Sequence, residues 1–184
     1  MAKLVDKTYG DALFELALEN GQVNTYFDEC QSILQILKDN DELLKLFTHP
    51  KISKEEKEKV VENVFKGRVS DDITGFLVLI LKKDRQTMIP EILEYFIDRV
   101  KEYKRIGVAF VTTAVPLNEA MKKSVEEKLI ATTDYQSFEM NYEIDKDIIG
   151  GMIIRIGDRV VDSSIRSKIE SMAKELYEVR LTTM

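Results

Sequence analysis

The stretch Lys104-Arg105-Ile106-Gly107-Val108-Ala109-Phe110-Val111-Thr112-Thr113-Ala114 divides the chain, because the spacing of its apolar residues changes there. Before it, Val5, Tyr9, Ala12, Leu13 and Leu16 recur at three and four residues, as do Tyr26, Phe27, Ile33, Leu34 and Leu37. That spacing places each set on one face of a helix. Turn residues interrupt it at Asn20-Gly21, Asp39-Asn40-Asp41, His49-Pro50, Lys66-Gly67 and Lys83-Asp84, which predicts five or six helices. Ser53 with Glu56 has capping-box spacing, and Pro90 suits the first turn of the last helix. From Val108 to Ala114 the residues are β-branched and aromatic, and Phe138, Met140, Tyr142 and Ile144 alternate with Glu139, Asn141, Glu143 and Asp145. A period of two predicts strands. A helix is expected from about Asn118 to Ala131, and a hairpin where Met152 to Ile156 turns through Gly157-Asp158 into Arg159 to Val161. Ser163-Ser164 cap a last helix with Ile165, Ile169, Met172, Ala173 and Leu176 on one face. The fold class expected is α+β: a six-helix bundle over residues 1–105, then a small β-sheet domain over 106–184 with helices packed on one side.

Composition narrows what such a chain does. The apolar share of 44% beside 33% charged residues supports a packed core. A formal charge of -6 disfavours nucleic acid, which demands a concentrated Lys/Arg surface. Cys30 is the only cysteine, so no intrachain disulfide forms and the cytosol fits best. The helical pattern begins by Val5, where a leader would otherwise stand, which reads as a bacterial gene product or a mature chain. The longest strongly apolar run, Phe76 to Leu81, is far below the roughly 20 residues that span a bilayer. Membrane association is therefore expected only through other proteins.

The residues that could carry chemistry do not assemble on paper. His49 is the single histidine and sits beside Pro50, and Cys30 lies on a patterned helix face with no second histidine to act as base. Pairs such as Glu55-Glu56 and Glu126-Glu127 read as solvated faces. Gly150-Gly151 and Gly157 lack dinucleotide-binding spacing and precede a strand, so tight turns and a β-bulge are expected there. No catalytic residue, metal or cofactor is expected. The run from Phe76 to Leu81 is apolar all round, which makes it either the central helix of the bundle or a helix with one face awaiting a partner. Gly10 and Gly75 fall in helical patterns, where either another helix comes close or a helix ends.

Three stretches resemble the delta/oligomycin-sensitivity-conferring family of ATP synthase subunits. They are Thr8-Tyr-Gly-Asp-Ala-Leu-Phe-Glu-Leu-Ala17, with Gly10 where alanine is more usual; Gly75-Phe-Leu-Val-Leu-Ile-Leu-Lys-Lys-Asp-Arg-Gln86 followed by Ile89 to Phe96; and Ile144 to Arg166, similar to the family signature over its length. The resemblance implies a non-catalytic stator part, present once per complex, peripheral on the cytoplasmic side of a bacterial cell membrane. It implies that the helical domain holds the amino-terminal segment of an alpha subunit in a groove between the first and fifth helices. That groove would be formed by Tyr9, Ala12, Leu13 and Leu16 facing Phe76, Leu79 and Ile80, which favours the docking reading of the apolar run. The carboxy-terminal domain would engage the end of the b-subunit stalk. Within the signature, Gly150, Gly151 and Gly157 are expected to be architectural, while Arg155, Asp158, Arg159, Asp162 and Arg166 either pair within the domain or face the b subunit. Two other readings share the composition: a small-ligand regulatory or enzymatic domain, and a scaffold of another membrane-bound complex.

Overall fold

Apolar spacing of three and four residues becomes helix throughout the first half. The computed structural model describes residues 2–49 and 51–182, with side chains from Val5 to Glu175 apart from Asp41 and Pro50. Its helices there are α1 (Ala2–Glu19), α2 (Val23–Asp39), α3 (Asp41–Thr48), α4 (Lys54–Phe65), α5 (Asp71–Lys82) and α6 (Ile89–Tyr103). Capping accounts for where several begin. At α4, Glu56 N–H donates to Ser53 Oγ at 3.3 Å while Ser53 N–H donates to Glu56 Oε2 at 3.0 Å, a complete capping box. Ser70 caps α5 by accepting from Ile73 N–H. The core is centred on α6, whose Ile89, Ile92, Leu93, Phe96, Ile97 and Val100 are all buried. The central helix is thus α6 and not the Phe76–Leu81 run, since α5 buries Ile73, Phe76, Leu77, Ile80 and Leu81 but leaves Leu79 in the open.

The second half forms a four-stranded sheet in the order β2-β1-β3-β4, from β1 (Ile106–Thr113), β2 (Ser137–Ile144), β3 (Met152–Ile156) and β4 (Arg159–Asp162). Strands β1 and β2 run parallel, with Ile106 opposite Ser137 and Thr113 opposite Ile144, joined by α7 (Glu119–Thr132). Antiparallel β3 pairs with β1 from Met152 opposite Thr113 to Ile156 opposite Ala109. The β3–β4 hairpin turns at Gly157, whose φ of +55° suits the first position of a two-residue turn. The two compact units are residues 1–103 and 104–184. Each has its own core; that of the second consists of Ala109, Val111, Phe138, Val125 and Leu129, with Met140, Met152, Ile154 and Ile156 packed against it.

Three details differ from the sequence expectation. The register of β3 with both neighbours is uninterrupted, so Gly150 and Gly151 make a turn and no bulge; Gly151 has φ +77°, and a Cβ on it would lie 2.4 Å from the Ser163 carbonyl oxygen. On β2 only Phe138 of the alternating set is fully buried; Tyr142 stays exposed although its hydroxyl donates to the Lys122 carbonyl of α7 and its ring lies under the Lys122 ammonium, and Ile144 at the strand's end is open. The last helix, α8 (Ile165–Thr182), does not join α7 on the sheet, and Ile165, Ile169 and Met172 are exposed. Its direction is set at its root. Ile165 N–H donates to Gly150 O and Ser163 N–H to Met152 O, both at 2.9 Å, and the Asp162 carboxylate accepts from Ser164 N–H and Ser167 Oγ. Leu176, expected on that face, has its side chain outside the described residues.

Candidate docking groove

In the first unit α1 packs on α6 and α5 packs on α4, and the rings of Tyr9 and Phe76 meet edge-on at 6.5 Å. Of the expected groove residues, Leu13 and Ile80 are 1% and 0% exposed, so they belong to the core and do not line an open face as expected. Phe76 is almost covered, Tyr9 and Leu16 are half-buried, and Ala12 and Leu79 are exposed, Leu79 at 44%. Gly75 belongs to this open face, one helical turn before Leu79, although sequence reasoning left it out of the groove. A Cβ built on Gly75 meets nothing within 4 Å. Gly10 is the opposite case: its Cβ would stand 2.3 Å from the Tyr95 ring of α6, so close helix approach explains it.

One end of α5 is held by carboxylates. Ser70 donates its N–H to Glu29 Oε1 at 3.0 Å and its hydroxyl to Oε2 at 2.7 Å. Buried Tyr26 donates its hydroxyl to Asp72, and Asn20 Nδ2 donates to both, at 3.0 Å to the Tyr26 hydroxyl and 3.1 Å to Asp72. Burial first, and the bond to Asp72 second, raise the Tyr26 phenol above its ordinary range. Helix α2, which carries Tyr26 and Glu29 one turn apart, thereby fixes where α5 starts relative to the end of α1.

In the second unit the signature residues separate. Asp162 is structural, and its carboxyl is held below the usual range by the Ser167 hydroxyl and by Ser164. Arg155 stacks over Phe110 on the open face of the sheet, 4.8 Å from the ring centre. Arg166 pairs with Glu170 at 3.0 Å on an exposed helix surface, and Asp158 and Arg159 lie exposed in the hairpin. The apolar face read from the spacing of the last helix is open in the structure. Ile165, Ile169 and Met172 form an open stripe at intervals of four and three, and Val160 and Val161 of β4 are exposed as well. The signal was already in those intervals, which match a coiled-coil seam. A cavity of about 340 Å³ between α7 and β3 is lined by Leu117, Met121, Val125, Leu129, Met152 and Ile154.

Reactive groups have bland settings. The His49 ring accepts from Lys51 N–H at 3.2 Å on the surface. Cys30 is fully buried, and burial pushes its thiol far up. Among the described residues no cluster of three or more His, Cys, Asp or Glu side chains has a metal-binding arrangement.

Two self-contained units, each leaving apolar side chains of a regular helix in the open, define a protein that works through contacts with other chains. The sequence profile of the family described as ATP synthase delta (OSCP) subunit matches residues 5–176. The ATP synthase subunit delta of Lachnoclostridium phytofermentans is 55% identical over 181 residues, covering 98% of this chain and 100% of that one. That of Syntrophomonas wolfei is 32% identical over 180 residues, covering 98% of each. A chain in the cryo-EM structure of the Toxoplasma gondii mitochondrial ATP synthase hexamer superposes with a TM-score of 0.73 at 16% identity, over 94% of this chain and 97% of that one, which shows the shared fold. This chain belongs to the ATP synthase delta (OSCP) subunit family: it is a structural stator component of F-type ATP synthase and not itself a catalyst. Among its described residues no helix is long and apolar enough to cross a membrane.

Proposed function

We propose that the helical unit, residues 1–105 with its six helices bundled around α6, caps the catalytic head by holding the amino-terminal segment of an alpha subunit between α1 and α5. The observation that carries this is the exposure of Leu79, at 44%, in a helix whose opposite face is already buried. A helix that serves only its own core needs a single apolar stripe. An amphipathic helix laid along Tyr9, Ala12, Leu16, Gly75 and Leu79 would cover the second face, with Phe76 at its edge and Leu13 and Ile80 as the floor's support. In such helix-in-groove interfaces a few anchors dominate, each worth about 2 kcal/mol or more on truncation. Calorimetric titration of the full chain with a peptide of the alpha amino terminus tests it. Saturable binding that Leu79→Asp loses while staying folded supports the groove, and no binding by the folded wild type rejects it.

The second unit, residues 106–184, engages the end of the b subunits, with Ile165, Ile169 and Met172 of α8 as the seam. One copy then joins head to stalk, held peripherally on the cytoplasmic side of a bacterial cell membrane. Ile169→Asp should abolish co-sedimentation with a soluble b-subunit fragment and leave alpha-peptide binding intact. Equal loss of both would reject the division of labour.

A further inference from the structure

We infer that Gly75 is the point of closest approach between α5 and the helix that docks on it, and that it selects an occupant carrying glycine, alanine or serine where the two cross. The inference rests on the groove reading above and goes beyond it by specifying the occupant. Among the described residues nothing calls for glycine at this position. Gly75 lies within α5, its φ is not positive, and an added Cβ meets nothing within 4 Å. Glycine in a helix interior destabilises relative to alanine, so the free protein carries a penalty with no internal return. Gly10 shows what an internal reason looks like, since Tyr95 occupies the space its Cβ would need.

The surroundings of Gly75 point to a return from outside. Leu79, one turn on, shares its face and is exposed, while Phe76 is nearly covered at the edge of that face. Across the groove, exposed Ala12 on α1 is also small, and half-buried Tyr9 and Leu16 stand on either side of it along that helix. Packed helices usually lie about 8–10 Å apart, set by the side chains at the contact. With no side chain at 75 and a methyl at 12, a docking helix can settle low enough for its larger residues, three or four positions away, to cover Leu79 and Leu16.

Two variants of the full chain test this by thermal unfolding and by titration with the alpha amino-terminal peptide. Gly75→Ala should raise the midpoint of the helical unit by about 4 °C while weakening the peptide by about tenfold. Gly75→Leu, whose side chain points into open space in the free protein, should stay folded and weaken the peptide by more than about a hundredfold. A gain in stability coupled to a loss in binding is a result that a purely structural role would not give. Wild-type affinity in both variants overturns the close approach and leaves the groove standing. Failure of the wild type to bind removes the groove, and this inference with it.

Discussion

Gly10 and Tyr26 show how much single atoms decide in the helical unit. An alanine at position 10 would drive its methyl into the Tyr95 ring, which is tethered through its hydroxyl to Asp11 at 3.1 Å. Gly10→Ala should therefore destabilise the unit by about 1–3 kcal/mol, overpacking outweighing the better helix propensity of alanine. A denaturant midpoint at or above wild type would show instead that the ring swings aside. Tyr26→Phe removes the donor to the charged, solvent-facing Asp72 in a partly buried setting and should cost about 1–3 kcal/mol, read from the same midpoints. As letters, Gly10 and Gly75 look alike: both sit in helical patterns and neither has a turn beside it. Only a neighbour arriving from Tyr95, far along the chain, tells them apart, so sequence leaves open which glycine faces inward. The same limit applies to Leu13 and Ile80, because a wide apolar stripe does not announce which of its edges meets solvent.

At the scale of elements, caps can be tested through their protonation. The Glu56 carboxyl is lowered from 4.5, first by the backbone N–H of Ser53 and then by its hydroxyl. A carboxyl lowered on folding adds stability that is fully present above its unfolded value and lost as pH falls through the folded one. Ser53→Ala, which keeps the backbone donor and removes the hydroxyl, should return Glu56 part of the way toward 4.5 in an NMR titration and lower the stability of the unit at neutral pH. A Glu56 titration that stays low would mean that the backbone bond alone suffices. The box was legible because its two residues lie three apart, and the sheet was legible because the period changes at Ile106 and a Gly-Asp pair separates two apolar runs. Helix α8 was only half legible. Periodicity identified its apolar face, but what covers a face depends on the direction in which the helix leaves its root, and at Asp162, Ser163 and Ser164 that is decided by bonds to Gly150 and Met152.

For the molecule as a whole, two separate cores imply two cooperative transitions. The second core rests on few large side chains, and small domains bury the least surface relative to their unfolded chains. Leu93→Ala, at a fully buried position of α6, should lower the transition of residues 1–103 by about 2–5 kcal/mol and leave that of residues 104–184 in place. Scanning calorimetry checks it, and movement of both transitions together would show that the units melt as one. Cys30 offers a way to follow the first transition without heating. Its sulfur is shielded in the middle of α2, and the protein has no other thiol to compete for a label. In native buffer a thiol reagent gains access only when the helices part. Labelling that is slow compared with reclosing then keeps time with the open population, turning this side chain into a built-in clock for rare excursions of a stator subunit.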